Sequence, residues 1–375
     1  MNICFFTSSS LTEGGGVENW IINVSQNMIK HHRINILGLR YAENKILCFK
    51  EISLSLNKIS YQELPFVKLP KGAPLPNPLY LNHLLNLFDS NDLVYIILPN
   101  SPIEGVLYLL RKYLKCKLIA GFHNSLSFNK LLSKVYMPAF KKFLDVFDTY
   151  HVINRETYTY LKKMGLNNVF FIPNGVNTNV FQLCDNPFTS SFFNVIFTGR
   201  LSEEKGVYIL IEIIRYVNEI LKISDMNFII TGAGPLENKI RAIARRYNNV
   251  NYLGFVDTKD MPKIYRSANL LLMPSKIEGM PLRLLEAQSC GLPVIGSRIP
   301  GILDVVLNGK TGHLVEVGDI KGFSETIKNY YELWRSSPKR YYEMNQAIRE
   351  HVVRNYDWSI IINKLEEMFL NCLTA

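Results

Sequence analysis

Short apolar runs recur along this chain, separated by segments in which apolar positions return every three or four residues. The runs read as strands and the periodic segments as helices. Strands are expected at 2–8 (NICFFTS), 33–39, 93–98 (LVYIIL), 117–122, 149–153 and 168–172, then at 193–198 (FNVIFT), 226–231, 250–253, 269–273 and 293–296. Helices are expected at 17–30, 103–114, 155–164, 205–221, 235–246 and 281–289, with a last apolar-striped one at 357–373. Continuous apolar strands alternating with helices predict parallel sheets covered on both faces. Two such series, split near the polar stretch 182–192, predict an α/β chain of two doubly wound domains, 1–185 and 186–356. In open α/β sheets ligands bind beyond the carboxyl ends of the strands, so the loops after strands are where chemistry is sought.

Composition narrows the class. At 375 residues, 47% hydrophobic and 20% charged, the chain is ordinary globular protein, too long for one core. No apolar run reaches the roughly 18 residues that span a bilayer. The first ten residues, MNICFFTSSS, lack a positive segment, so no signal peptide is expected. Six cysteines (4, 48, 116, 184, 290, 372) lie scattered with no CxxC, which argues against zinc or a disulfide framework and for reduced thiols in a cytoplasmic protein. The formal net charge is +10 and sits mainly in the N-terminal half, where residues 1–185 carry 19 Lys and Arg against 12 Asp and Glu. Arg111, Lys112, Lys115 and Lys117 form one cluster, Lys130, Lys134, Lys141 and Lys142 another. Such clusters are either a solvated face or a surface for an anionic membrane. No RRM, zinc-finger or helix-turn-helix signature is present, so nucleic acid is not expected.

Five strand-end loops carry candidate chemistry. The first holds Gly14, Gly15 and Gly16 ahead of Val17 and Glu18, a turn that lets backbone approach a ligand. It fits a dinucleotide fingerprint poorly: a GxGxxG counted from Gly14 ends at Asn19, and Arg40 stands where an acid would end the second strand. A purely structural turn is the alternative. At 199–206, GRLSEEKG, Gly199 turns the chain and places Arg200 and Lys205 about a helix start. A forked guanidinium and a compact ammonium there suit a diphosphate, or else answer Glu203 and Glu204 at the surface. TGAGP at 231–235 and LGFV at 253–256 are further turns, weak alone.

The stretch KIEGMPLRLLEA, 276–287, places Glu278 before a helix and Glu286 on it, eight positions apart. At 1.5 Å rise per residue Glu286 lies roughly 8 Å along the axis, so the carboxylates stand on the order of 10 Å apart beside an anion-favouring helix start. A nucleotide sugar matches, with its sugar at Glu278, its diphosphate between the helix start and Arg200 and Lys205, and its ribose at Glu286. The alternative pairs Glu286 with a cation such as Arg283.

Together these pieces resemble the family-4 retaining glycosyltransferases of the GT-B fold. The matches run in the family's order: GGVE at 15–18, His123 in GFHN, PNGVN at 173–177, GRLSEEKG at 199–206, TGAGPL at 231–236, LGFV at 253–256 and PSKIEGMPLRLLEAQSCGLPVIGS at 274–297. The last contains the family's E-x7-E spacing. The resemblance implies two Rossmann-like domains facing a central cleft. The acceptor-binding domain 1–185 would be completed by the helix 357–375 crossing back to it, and 186–356 would bind the donor.

It also implies roles. Arg200 and Lys205 would hold the diphosphate and stabilise the leaving group. Glu278, with backbone at Gly279, Met280, Pro281 and Leu282, would orient the sugar, which His123 would also contact. Glu286 would bind the ribose hydroxyls. Gly234 and the turn Gly254, Phe255 and Val256 would line the base pocket, and Gly15 and Gly16 would approach the diphosphate or acceptor. The reaction would transfer a hexose from a UDP- or GDP-sugar to a hydroxyl, with retention and without metal or other cofactor; no DxD-type pair adjoins the site.

Three positions depart from the family pattern. Pro281 stands where many members have Gly, Asn177 replaces a common Asp, and Asp304 stands where a Glu often lies. None removes a catalytic group. The acceptor domain is basic and carries Phe122, Phe128, Tyr136, Phe140, Phe143 and Phe147. That composition suits a glycan or lipid-linked acceptor in cell-surface polysaccharide assembly, at the inner face of the cell membrane. The rivals are a nucleotide-sugar epimerase of the same fold and a non-catalytic sugar-binding subunit. The latter reading predicts loss of Glu278, Lys205 or His123, and all three are present.

Overall fold

The computed structural model describes residues 1–8, 11, 15–41, 59–68, 74–98, 101–123, 140–183 and 191–375. The chain forms two compact units. One holds Met1–Pro173 and Ile361–Ala375, the other Asn174–Ile360. The crossing between Pro173 and Asn174 comes ahead of the polar stretch in which the sequence pattern puts the boundary.

The first unit is built on eight strands: β1 Asn2–Phe6, β2 Arg33–Tyr41, β3 Ile59–Lys68, β4 Pro74–Pro76, β5 Leu93–Leu98, β6 Lys117–Phe122, β7 Thr149–Val152 and β8 Val169–Phe171. Their order across the sheet is β4-β3-β2-β1-β5-β6-β7-β8. All neighbours are parallel except β3 and β4, which run antiparallel at the edge. Residues such as Val94, Ile96, Leu118, Ala120 and Val152 are fully buried, as strands covered on both faces require. The sequence pattern misses β3, whose register runs through Pro65 opposite Arg40. Proline lacks the N–H a ladder uses, so it masks a strand in sequence.

The second unit has six parallel strands: β9 Phe193–Thr198, β10 Met226–Thr231, β11 Val250–Gly254, β12 Leu270–Met273, β13 Val294–Ser297 and β14 Gly312–Val315. They stand in the order β11-β10-β9-β12-β13-β14. Helices 320–336 and 338–356 pack in this unit and were not expected. The first carries its signal in Phe323, Ile327, Tyr330 and Tyr331, a buried stripe at helical spacing.

The topology fixes where each unit can bind. In the second, the chain leaves β9 for β10 on one side and returns to β12 on the other, so the loops after β9 and β12 diverge and leave a crevice at the strands' carboxyl ends. In the first, the same reversal occurs between β1 and β5, with β6 next to β5.

The basic clusters divide on inspection. Arg111 donates to the Val146 and Leu114 carbonyls and pairs with Asp148, which Lys117 also meets at 3.5 Å. These two cations hold the fold together, whereas Lys112, Lys115, Lys141 and Lys142 are exposed. Phe122, Phe140 and Phe147 are core, and Phe143 packs edge-on against Tyr108 at 5.7 Å between ring centres. Lys130, Lys134, Phe128 and Tyr136 lie outside the described residues. Cys4, Cys116, Cys290 and Cys372 are buried free thiols, and Cys48 and Cys184 lie outside the described residues. Among the described residues no helix is long and apolar enough to cross a membrane.

Candidate active site

In the second unit the loops after β9 and β12 are sewn together at the crevice. Lys276 donates its backbone N–H to the Glu204 carbonyl at 2.7 Å, and its ammonium meets Glu203 at 2.7 Å. Gly206 closes the seam. It sits at φ 73°, immediately before helix 207–216, and a Cβ there would fall 1.9 Å from the Pro274 carbonyl oxygen. Both the backbone angle and the contact exclude a side chain. Gly206→Ala is therefore expected to cost about 2–4 kcal/mol, which urea unfolding of the purified variant measures.

The seam decides which charges meet. Glu203 is taken by Lys276, so Lys205 is not its partner at the surface. Lys205 reaches instead to Glu278, Nζ to Oε2 at 2.7 Å, and the Ser275 hydroxyl donates to the other carboxylate oxygen at 2.9 Å. Glu278 is buried and Lys205 half-buried, so the pair is shielded on the carboxylate side only. Arg200 and Lys205 both precede the helix rather than flanking its start. Arg200 is exposed and makes no hydrogen bond or ion pair among the described residues.

Glu286 lies on helix 282–289, and Pro281 forms the extended residue before it. The Tyr265 hydroxyl donates to Glu286 Oε2 at 3.0 Å. Burial pushes the Glu286 carboxyl above the usual range, and the nearby Arg283 charge and the Tyr265 hydrogen bond pull it part of the way back. Arg283 is not its hydrogen-bonded mate, because the guanidinium donates to Thr198 at the end of β9, 2.6 Å away. The loop between the two glutamates is held from behind. Asn174 donates its side-chain amide to the Met280 carbonyl at 2.7 Å and its backbone N–H to the Met280 sulfur at 3.1 Å.

The glycine turns after β9, β10 and β11 form a second seam. Gly199 N–H donates to the Thr231 carbonyl, Leu201 N–H to Ala233, and Gly232 N–H to Gly254 at 2.7 Å. Gly234 packs directly on the Leu201 backbone, which leaves no room for a side chain there. Pro235 lies in the turn ahead of helix 237–246 rather than on it. Past Gly254, Phe255 is 74% exposed and Val256 half-buried. A large exposed aromatic beside open backbone is a surface on which a planar base can stack.

In the first unit Gly16 opens helix 16–28 and Gly15 caps it. Gly14 and Arg40's side chain lie outside the described residues. A side chain on Gly15 would meet the buried Glu18 carboxylate at 2.3 Å, so the turn has a packing reason for glycine. That carboxylate already places negative charge at the helix start. His123 follows β6 and is buried, with its Nε2 2.9 Å from the Tyr95 hydroxyl.

Two family models match the chain, "Glycosyltransferase Family 4" over residues 14–180 and "Glycosyl transferases group 1" over residues 193–332. The chain belongs to glycosyltransferase family 4. One similar curated relative is a component of the human phosphatidylinositol N-acetylglucosaminyltransferase, 25% identical over 81% of this chain and 63% of that one. Another is an Escherichia coli UDP-Gal:α-D-GlcNAc-diphosphoundecaprenol α-1,3-galactosyltransferase, 29% identical over 53% of each. The chain spans about half the length of most curated relatives it matches. Among solved structures, Anabaena HepE in complex with UDP-glucose superposes with a TM-score of 0.77 at 18% identity, covering 99% of this chain and 100% of that one. Sucrose-phosphate synthase from Thermosynechococcus elongatus gives 0.76 at 17%, covering 100% and 99%. These likenesses show the GT-B fold.

Of the residues expected in the site, the structure pairs Lys205 with Glu278, keeps Arg200 and Gly199 in the loop after β9 and Gly279 and Met280 in the loop after β12, and sets Glu286 on the helix that follows. Gly234, Gly254 and Phe255 follow the adjacent strands, and His123, Gly15 and Gly16 belong to the first unit. Sequence reading missed Ser275, Tyr265 and Asn174. Ser275 stands three residues from Glu278, within reach of simple loop chemistry. Tyr265 precedes β12, and nothing in its spacing links it to Glu286 until the sheet order is known.

Proposed function

We propose that this protein transfers a hexose from a nucleoside-diphosphate sugar to a hydroxyl acceptor with retention of configuration and without a metal. The observation that carries the reading is the Lys205–Glu278 pair at the β9–β12 switch point, with Arg200 in the same loop as Lys205 and Glu286 on the helix after β12. Arg200 and Lys205 bind the diphosphate, Glu278 and the 279–282 backbone orient the sugar, and Glu286 accepts hydrogen bonds from the ribose hydroxyls. Gly234 and Gly254–Val256 border the base. The bond from the anomeric carbon to the diphosphate oxygen breaks as the acceptor oxygen bonds that carbon on the same face. The acceptor's proton passes to the departing phosphate oxygen. Arg200 and Lys205 stabilise the charge developing there, the work a metal does elsewhere. A UDP-sugar bound in a neighbour of the same fold and a galactosyltransferase of lipid-linked sugars among the relatives support the class of donor and acceptor.

The deciding experiment is a thermal shift of the full chain against UDP, GDP, ADP, dTDP and NAD(P), without divalent metal. A ligand that binds only the folded state raises the melting temperature by mass action. A rise with one nucleoside diphosphate is expected and names the base; a rise with NAD(P) alone would sink the reading.

Glu286 gives the binding a pH signature. Its ionised form is the better acceptor for both ribose hydroxyls, and burial raises its carboxyl, so nucleotide affinity should fall on acidification earlier than an ordinary carboxylate would make it. Tyr265→Phe removes a bond that holds the carboxyl down, so the loss should begin at higher pH than in the parent protein. Kd measured by calorimetry from pH 8 to 5, in steps of about one unit, checks it.

The acceptor reading extends to a membrane face. Tyr108, Leu109 and Tyr113 are 45%, 70% and 59% exposed beside Lys112 and Lys115, and the Tyr108–Phe143 contact brings Lys142 into the same region. Apolar side chains rimmed by lysines suit an anionic bilayer. Sedimentation with phosphatidylglycerol vesicles should capture the protein, and Lys112→Glu with Lys142→Glu should release it. Equal capture by vesicles of neutral lipid would count against the charge argument.

A further inference from the structure

The first unit buries four polar-edged rings in one cluster behind the carboxyl ends of its central strands. Tyr95 projects from β5, His123 follows β6, His151 lies on β7 and Trp20 on helix 16–28. Tyr95, His151 and Trp20 are almost wholly buried and His123 nearly so. The Trp20 ring meets His123 at 4.4 Å and Tyr95 at 5.2 Å between centres. The hydrogen bonds run in series: His151 Nε2 to the Ile172 carbonyl at 2.8 Å, His151 Nδ1 to the Tyr95 hydroxyl at 2.5 Å, and that hydroxyl to His123 Nε2 at 2.9 Å.

One end of this series is fixed chemically. A carbonyl oxygen can only accept, so His151 Nε2 carries a proton. Burial holds His151 down at about 4, and His123 well below the usual imidazole range with a further push from His151, so both rings are neutral at pH 7. A neutral ring has one proton, so His151 Nδ1 is an acceptor and the Tyr95 hydroxyl must donate to it. Burial raises the Tyr95 phenol, which keeps that proton in place. The hydroxyl is then left with lone pairs only, and His123 Nε2 must be the donor to it. His123 Nδ1, which has no partner among the described residues, therefore carries a lone pair. The reverse order would set the His151 lone pair against the Ile172 carbonyl at 2.8 Å.

We propose that Tyr95 and His151 are positioning residues that lock His123 as its Nε2–H tautomer, so that Nδ1 is offered to substrate as a hydrogen-bond acceptor. The group it recognises is then a donor, a sugar hydroxyl; that last step rests on the transferase reading above, while the tautomer does not. The strands are built around the relay. A Cβ on Gly121 would fall 2.2 Å from the Tyr95 hydroxyl, so the chain keeps a glycine opposite it.

The test is a long-range proton–nitrogen NMR spectrum of the full chain, labelled only at its seven histidines, with His123→Gln and His151→Gln for assignment. At pH 7 both His123 and His151 are expected to show a protonated Nε2 and a bare Nδ1. In Tyr95→Phe, His123 should become a mixture of tautomers and kcat/KM should fall about tenfold, the scale of one lost hydrogen bond. A protonated Nδ1, or a charged ring, on His123 in the parent protein overturns the proposal, and this holds even if Tyr95→Phe does not fold. A folded Tyr95→Phe with unchanged tautomer and unchanged kcat/KM overturns it equally. If no donor is turned over by the parent protein, the transferase reading fails while the spectrum still decides the tautomer.

Discussion

Glu286→Gln should make the protein more stable and a poorer binder at once. Burial raises the Glu286 carboxyl, with Arg283 and Tyr265 opposing that shift only in part. A group whose folded pKa lies above its unfolded value contributes stability below the unfolded pKa, and loses it as pH rises through the folded value. Where it is ionised, the carboxylate therefore sits in a place that disfavours its charge. Glutamine keeps an oxygen for the Tyr265 hydroxyl and removes the charge. A gain of about 0.5–1 kcal/mol is expected, seen as a higher melting temperature without ligand, and it should shrink toward pH 5. On the proposed function the same change takes away an acceptor for two ribose hydroxyls, so nucleoside diphosphate affinity should fall about 30- to 100-fold by calorimetry. A site that binds through a costly carboxylate must show both effects. A variant that is less stable at pH 7.5 and binds UDP or GDP normally would mark Glu286 as a purely structural acid.

Lys205→Ala is expected to act on turnover more than on binding. Lys205 pairs with the buried Glu278 and shares its loop with Arg200, which has no partner among the described residues, so it can turn from carboxylate to phosphate. Its charge matters most when the leaving diphosphate gains negative charge, so kcat should fall about 10²- to 10³-fold. On the proposed function Arg200 and Glu286 still hold the nucleotide, and its Kd should move by less than about tenfold. Among the described residues the substitution also leaves Glu278 with only the Ser275 hydroxyl as a side-chain partner. Since Lys205 is about a third exposed, solvent screens the loss, and about 1–2 kcal/mol of stability is expected to go. Glu278→Gln in the same background should recover that stability and leave the turnover defect. Full recovery of both would show that the lysine serves only to neutralise the glutamate.

Asn174 offers a milder check on the same loop. Its side-chain amide is the donor to the Met280 carbonyl, and Asn174→Asp puts an acceptor there instead. A raised KM for the donor in steady-state kinetics is expected, together with a lower melting temperature, because the new carboxylate is buried against a carbonyl.

The sequence by itself determined the class of fold and picked out the strand-end loops and the helix that carry Lys205, Glu278 and Glu286. Apolar runs such as LVYIIL and FNVIFT can be satisfied only in sheets covered on both faces, and a period of 3.6 cannot be mistaken for one of 2 over ten residues. Lys205 and Glu278 stood out because each sits in a strand-end loop, and Glu286 because it lies eight positions beyond Glu278 on the helix that follows. What the sequence could not supply were the relations set by sheet order. Whether Lys205 answers Glu203 or Glu278 depends on β9 lying beside β12, and those loops are some seventy residues apart in the chain. Tyr265 and Glu286 meet only because helix 261–266 and helix 282–289 flank the same strand. The relay from Ile172 through His151 and Tyr95 to His123 joins β5, β6, β7 and the end of β8, and His151 and Tyr95 read in sequence as ordinary strand residues. Periodicity reports which side chains must be buried. Only the tertiary structure decides which buried polar atoms find one another, and so which atom of His123 is left to act.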